Sequence, residues 1–226
     1  MPPRYARGSV SAMSLNEQYE KLYRLQDALL SVVFAEDVGF YLTGGTCLHR
    51  FYFDARYSDD LDLFTSHSST FRDEVRIILD RLSAASIAMH EAVDTRDFVR
   101  IIVENSLQID FVNDRVYRIG APDVSRSGVR IDNLINIAAN KVCAILGRDE
   151  PKDVFDLCTI LQSGKVDPSS MLTIAEKKCA FDLERLETRL RSFPLGLLDD
   201  LAIKDEPLAR RLKADYHSII DLLLGE

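Results

Sequence analysis

The chain has no tryptophan and only four cysteines and four histidines in 226 residues. Cys47, Cys143, Cys158 and Cys179 are widely separated, with no C-x-x-C pair. That spacing excludes a zinc ribbon or thioredoxin-type motif and predicts reduced thiols, three of them inside helical apolar patterns. His49, His67, His90 and His217 show no metal-ligand spacing, so no zinc centre is expected. No run approaches the roughly 20 apolar residues that cross a bilayer. Residues 1–10 lack the apolar core of a secretory signal and read as a loose tail or an expression remnant, so the expected compartment is the cytoplasm, with no membrane partner. Positive charge is in deficit too: 28 Lys and Arg against 36 Asp and Glu leave a net charge of -8. Bulk affinity for nucleic acid is therefore not expected, and an RNA ligand would need a local basic patch. The two candidate patches, Lys177, Lys178, Arg185, Arg189 and Arg191, then Arg210, Arg211 and Lys213, are interspersed with acids and read as solvated helix faces.

What is present is a chain with 46% hydrophobic residues, enough for one large domain or two small ones. Leu15, Tyr19, Leu22, Leu25, Leu29 and Val33 recur at three and four, which predicts an amphipathic helix over 15–36. A strand at 38–43, a helix at 46–53 and a strand at 60–65 follow. Ser68 or Ser69 would cap the next helix, with Phe71, Val75, Ile78, Leu79 and Leu82 on its buried stripe. Strands are expected at 87–93, 98–104 and 107–113, the last two joined by a hairpin turn. After a loop around 120–128 the pattern turns helical. Asp132 would cap a helix closing near Gly147, a second would open at Glu150-Pro151, and three more are expected near 169–178, 181–192 and 206–224. The fold class is α+β: a mixed sheet with flanking helices over residues 1–128, then an all-helical domain over 129–226.

The chemistry concentrates in two segments. In the first, Gly44-Gly45 ends an apolar strand and opens a helix, so the backbone can turn sharply and approach a ligand while helix N–H groups face an anion. In the second, Asp60, Asp62 and Phe64 share one face of a strand whose other face carries Leu61 and Leu63. Two acids at spacing two form half of an oxygen cage for Mg²⁺, which takes its other ligands from water and phosphates. The blander reading is a tight turn beside a solvated acidic strand edge. The interleaved leucines argue against it, because a strand with one apolar face is anchored in a core. Asp59 falls on the leucine face and reads as flanking. Asp110 faces away from Leu107, Ile109 and Phe111, either as a third carboxylate or as a hairpin-face aspartate without a ligand. Further on, the spacing lets Lys152, Asp153 and Asp156 meet on one helix face, where the residues alone favour a surface ion pair.

Taken together, Gly44-Gly45-Thr46-x-Leu48, Arg56-x-Ser58-x-Asp60-Leu-Asp62-Leu-Phe64, Lys141 ahead of Arg148, and Lys152-Asp153-x-x-Asp156-Leu157 resemble the AbiEii/AbiGii nucleotidyltransferase toxins of the DNA polymerase β-like superfamily over residues 38–161. The resemblance implies that superfamily's mixed sheet and a toxin, opposed by a separately encoded antitoxin, that moves a nucleotide from an NTP to RNA, the 3′ end of tRNA in related members. It implies Mg²⁺, or Mn²⁺ in its place, on Asp60, Asp62 and Asp110, with Asp60, Asp62, Asp110 and Asp156 catalytic. Gly44, Gly45, Thr46, Arg56, Ser58, Lys141, Lys152 and Asp153 would serve the nucleotide, Lys141 and Lys152 by offsetting charge on leaving pyrophosphate, while Arg56 would relieve repulsion among the carboxylates. Two other functions fit the same motifs: transfer to a small molecule such as an aminoglycoside, and a catalytically silent nucleotide-binding module.

Overall fold

The amphipathic stripe at the start of the chain folds as α1 (Leu15–Phe34) in the computed structural model, which describes residues 13–35, 38–66 and 68–225. The N-terminal tail, His67 and the expected last residue of the first helix, Glu36, lie outside the described residues. A capping box opens α1: Ser14 Oγ accepts from the Glu17 N–H (3.3 Å), and Glu17 Oε2 accepts from the Ser14 N–H (2.8 Å). Leu29, Leu30 and Val33 are buried on its inner face, and so is one polar residue, Gln26.

Seven strands form one sheet: β1 (Tyr41–Thr43), β2 (Leu61–Ser66), β3 (Met89–Asp94), β4 (Phe98–Val103), β5 (Leu107–Asp114), β6 (Asp123–Val124) and β7 (Arg130–Ile131), in the order β3-β4-β5-β2-β1-β7-β6. β5 runs parallel to β2 and antiparallel to β4, and β1 is antiparallel to β2. The β4–β5 turn carries Glu104 and Asn105 at φ 49° and 53°, the left-handed backbone such a tight hairpin requires. β6 falls inside the expected 120–128 loop, and β7 lies just past residue 128 yet pairs with β1. Two-residue strands carry no periodicity that a sequence could display.

The helices differ from expectation mainly at their ends. α2 (Gly44–Leu48) begins at the glycines rather than at Thr46, and the chain continues as a π-helical turn, His49–Phe53, closed by Asp54 at φ 51°. α3 (Phe71–Ala84) starts after Thr70, and Ser68 Oγ accepts the Thr70 N–H (3.1 Å) instead of capping the helix. Asn133, not Asp132, caps α4 (Leu134–Gly147), accepting the Asn136 N–H at 3.0 Å. α5 (Pro151–Gln162), α6 (Pro168–Lys178) and α7 (Leu183–Arg191) follow, and a 3-10 turn (Leu195–Asp200) precedes α8 (Glu206–Ala214) and α9 (Tyr216–Leu224). The single helix expected over 206–224 breaks at Asp215, which lets Tyr216 turn inward and donate to the Leu190 carbonyl (2.8 Å).

The sheet has two unlike faces. Leu61, Leu63, Ile101, Ile109 and Phe111 point into the core with α1 and α3, where the Phe40 ring meets Phe71 and Phe111 at 5.9 and 5.3 Å. Asp62, Phe64, Arg100 and Asp110 point to the other face, which α4 and α5 wall off. One continuous set of buried apolar residues runs from α1 through α9. Cys47 and Cys158 are buried, Cys143 and Cys179 half-buried, and all four are free thiols. No described helix is long and apolar enough to cross a membrane.

Candidate active site

The antiparallel register of β1 and β2 sets Asp62 opposite Thr43, so the chain leaves β1 into Gly44 directly against the Asp62 carboxylate. Gly44 has φ +70°, and a Cβ there would overlap Asp62 Oδ2 and sit 2.9 Å from its Cγ. Glycine is needed on both counts: the left-handed backbone and the close approach. Gly45 is packed as tightly, since a Cβ would lie 2.6 Å from Arg56 Nη2 and 3.0 Å from Ser58 Oγ. The bend and the acidic strand thus converge on one point.

Around that point lies a cavity of about 370 Å³. Of the residues expected from sequence, Gly44, Gly45, Arg56, Ser58, Asp60, Asp62, Asp110, Lys141, Lys152 and Asp153 line it. Thr46 and Asp156 do not. Thr46 is buried, and its hydroxyl donates to the Asp60 carbonyl, fixing the start of the acidic strand. Asp59, read as flanking, sits exposed at the rim.

Asp156, expected to be a catalytic carboxylate, does not line the cavity. It is completely buried behind the cavity, bound bidentately by Arg56 (2.7 and 2.7 Å) and contacted by Lys141 Nζ (2.6 Å) and His49 Nε2 (2.7 Å). Burial alone would raise its pKa, but Arg56, Lys141 and the His49 hydrogen bond hold it well below the usual carboxylate range. Such an anion anchors cations and takes up no proton. Arg56 is accordingly committed to Asp156 and does not lie between the strand carboxylates. Asp153 is also fully buried, paired with Lys141 (2.8 Å) and Arg148 Nε (2.7 Å), which rules out a surface ion pair with Lys152. Burial works against the Lys141 ammonium, yet Asp156 and Asp153 raise its pKa, so it stays charged. Lys152 makes no hydrogen bond or ion pair among the described residues and faces the cavity.

On the strand side the balance is reversed. Burial, then Asp110 and Asp60, push the Asp62 carboxyl up to about 6 against the opposing pull of Lys141 and Lys152. Burial likewise raises Asp60, with Asp59 and Asp110 adding to it and Lys152 opposing. Neither side chain has a hydrogen-bond donor among the described residues. Asp110 does lie beside Asp62 in the β2–β5 register, but both its oxygens accept from Arg100 (Nε 2.7 Å, Nη2 2.7 Å), with Gln108 Nε2 at 3.3 Å. Among the described residues no three His, Cys, Asp or Glu side chains converge as a metal cage. Two under-compensated carboxylates with hard oxygens do fit an ion such as Mg²⁺, which keeps several waters and uses one or two carboxylates plus phosphates.

Several residues that hold the site were not given that role from the sequence. Gln26 Nε2 donates to the Ser58 and Asp59 carbonyls (3.2 and 3.0 Å), and the Tyr23 hydroxyl accepts the Ser58 N–H (3.2 Å), so α1 clamps the loop leading to the acids. Asp132 accepts from Thr43 Oγ1 (2.9 Å) and Arg118 (2.8 Å), which secures the end of β1. Gln26 was visible as a polar residue on an apolar helix stripe, and Arg100 as a cation inside the apolar strand 98–103. Among the described residues, four of the eight basic residues in the two candidate patches are paired with acids: Arg191 with Glu187 and Asp221 (2.8 and 2.9 Å), Arg210 with Glu206 (3.9 Å), Arg189 with Asp149, and Lys213 with Asp199.

A mixed sheet carrying an acid pair beside a glycine bend, walled by helices that supply lysines, is an arrangement suited to nucleotidyl transfer. Solved structures share the fold. The crystal structure of JHP933 from Helicobacter pylori is 23% identical, with a TM-score of 0.57 over 94% of this chain and 96% of that one. A candidate nucleotidyltransferase, also from H. pylori, is 22% identical, with a TM-score of 0.56 over 94% of this chain and 98% of that one. No functionally curated protein matches the chain in sequence. The family model for the nucleotidyl transferase AbiEii toxin of type IV toxin–antitoxin systems matches residues 27–226, and the chain belongs to that family. The match takes in α6 to α9, beyond the 38–161 span in which the sequence motifs lie.

Proposed function

We propose that this toxin-family nucleotidyltransferase is Mg²⁺-dependent and transfers NMP from an NTP to an RNA hydroxyl, the 3′ end of tRNA, with Mn²⁺ able to replace Mg²⁺ and a separately encoded antitoxin opposing it in the cytoplasm. The observation that supports the reading is the close approach of the Asp62 carboxylate to Gly44, which sets an acid able to hold a metal beside a backbone bend able to receive a phosphate. Asp60 and Asp62 would hold the ion. When bound, it would neutralise charge on the phosphoryl oxygens and ease loss of the acceptor proton.

The chain's own groups do the rest. The backbone at Gly44 and Gly45 and the ammonium groups of Lys141 and Lys152 grip the triphosphate tail and offset charge as pyrophosphate leaves. The acceptor oxygen bonds to the α-phosphorus as the bond to the bridging oxygen breaks, and the hydroxyl proton departs to water in the cavity. Asp156 and Asp153 act from behind, fixing Arg56, Lys141 and Arg148 so that Gly45 and the phosphate-facing ammonium do not shift. We assign Asp110 to holding Arg100 rather than to the metal, since Arg100 already engages both of its oxygens.

The test is incubation of the purified chain with Mg²⁺, each labelled NTP in turn, and either total RNA or a panel of aminoglycosides. Label on RNA that disappears in Asp62→Ala supports the reading. Label on a drug instead would replace the acceptor, and NTP binding without transfer to anything would reduce the protein to a nucleotide-binding module.

A further inference from the structure

The open face of the sheet bears two adjacent cross-strand rows. One is Asp62, Asp110 and Arg100, and the next is Phe64, Val112 and Phe98, each row set by the β2–β5 and β4–β5 registers. Phe64, Val112 and Phe98 are half-exposed, and Phe64 faces the cavity. Strands lie ~4.8 Å apart, so three strands present an apolar strip about 10 Å long, wide enough for one or two nucleobases. Arg100 stands where the rows meet: its Cζ is 5.4 Å from the Phe98 ring centroid. Asp110 takes its Nε and Nη2, which leaves Nη1 without a partner among the described residues.

The glycine bend lies at the β1 side of Asp62, and β5 and β4 extend to the other side. In-line transfer puts the acceptor opposite the leaving pyrophosphate, which is the side of β5 and β4. An apolar shelf with a cation at its edge suits a stacked base and a phosphate oxygen, and is a poor seat for a polycationic drug. We infer that the acceptor's unpaired terminal nucleotide lies on this face, its base stacked on the Phe64–Val112–Phe98 row and a phosphate oxygen bound by Arg100, with Asp110 as the positioning residue that aims the guanidinium. This inference rests on the RNA acceptor proposed above.

Fluorescence anisotropy with a short labelled single-stranded oligoribonucleotide, and with a blunt duplex of the same sequence, tests it on the full chain, alongside steady-state transfer. Wild type should bind the single strand at least about 5-fold more tightly than the duplex, as loss of one base stack predicts. Phe98→Ala should weaken single-strand binding and raise the acceptor KM by about 5- to 100-fold, with the NTP KM unmoved. Phe98→Leu, which keeps the apolar volume but lacks a ring face, should show the same direction with an unchanged melting temperature. Arg100→Gln should weaken binding and reduce its salt dependence, and Asp110→Asn should do so less steeply. If wild type labels RNA and binds the oligonucleotide while Phe98→Ala and Arg100→Gln bind it equally well, the subsite is wrong and the RNA acceptor stands. Equal binding of strand and duplex also overturns the subsite. If wild type neither labels RNA nor binds the oligonucleotide, the acceptor class fails and the subsite with it.

Discussion

Adding one methyl group at Gly44 perturbs the site at its tightest contact. The new Cβ would overlap Asp62 Oδ2 and lie 2.9 Å from its Cγ, whereas carbons at ease keep ~3.5–4.0 Å apart, so the carboxylate must retreat by about 1 Å or more. A displacement on that scale in a reacting constellation costs on the order of 100-fold in rate. The left-handed φ of +70° adds backbone strain of about 1–2 kcal/mol for alanine, or about 2–8 °C in melting temperature for a chain of this size. Gly128→Ala separates the two effects, because Gly128 has φ +82° with nothing within 4 Å of the added carbon. Both variants should melt several degrees early, and only Gly44→Ala should lose labelled-NTP transfer by about 100-fold. Transfer at the wild-type rate by Gly44→Ala, or an equal loss in Gly128→Ala, would refute the claim that the bend and Asp62 form one site.

Asp62→Ala should fold normally and lose transfer by about 100- to 1000-fold, measured with labelled NTP at saturating Mg²⁺. Asp156→Asn should destabilise by about 3–5 kcal/mol, because Arg56 is left buried without its anion and Lys141 keeps only Asp153, and urea unfolding reads it directly. The same variant tests the pH dependence. The folded-state pKa of Asp156 is depressed, so its stabilisation is present above the unfolded value of ~3.9 and is lost as pH falls below it. Wild type should therefore lose stability below about pH 4 more steeply than Asp156→Asn, and parallel curves would contradict the assignment. Gln26→Ala should cost about 1–3 kcal/mol by leaving the Ser58 and Asp59 carbonyls unsatisfied, and should lower kcat without touching a substrate contact. An unchanged kcat would show that α1 does not position the acidic loop.

The acid pair, the glycine bend and the order of the main elements were legible because each is a local pattern: alternation at period two, helical stripes at three and four, and a glycine pair where a strand ends. The ends of elements were less legible. Asp132 resembles a helix cap on paper, but the turn chemistry of Asn133 takes that position and frees Asp132 to accept from Thr43 and Arg118. The 206–224 helix breaks with no glycine or proline to announce it, because Tyr216 gains a fully buried site. Spacing also suggested that Lys152 pairs with its helix neighbours, whereas Asp153 and Asp156 found stronger partners on α4 and in the 56–58 loop.

Residue order alone set which side chains share a strand face or a helix stripe, and with that the α+β class and the Asp60–Asp62 pair, since periodicity is a property of neighbours along the chain. Which carboxylates are left unpaired in the cavity was decided by tertiary contacts, some between residues about 100 positions apart: Arg56 with Asp156 turned one aspartate into a buried anchor. Arg100 with Asp110, brought together by the register of β4 and β5, tied up another. Charges choose partners by distance and desolvation, and both exist only once the chain has closed on itself.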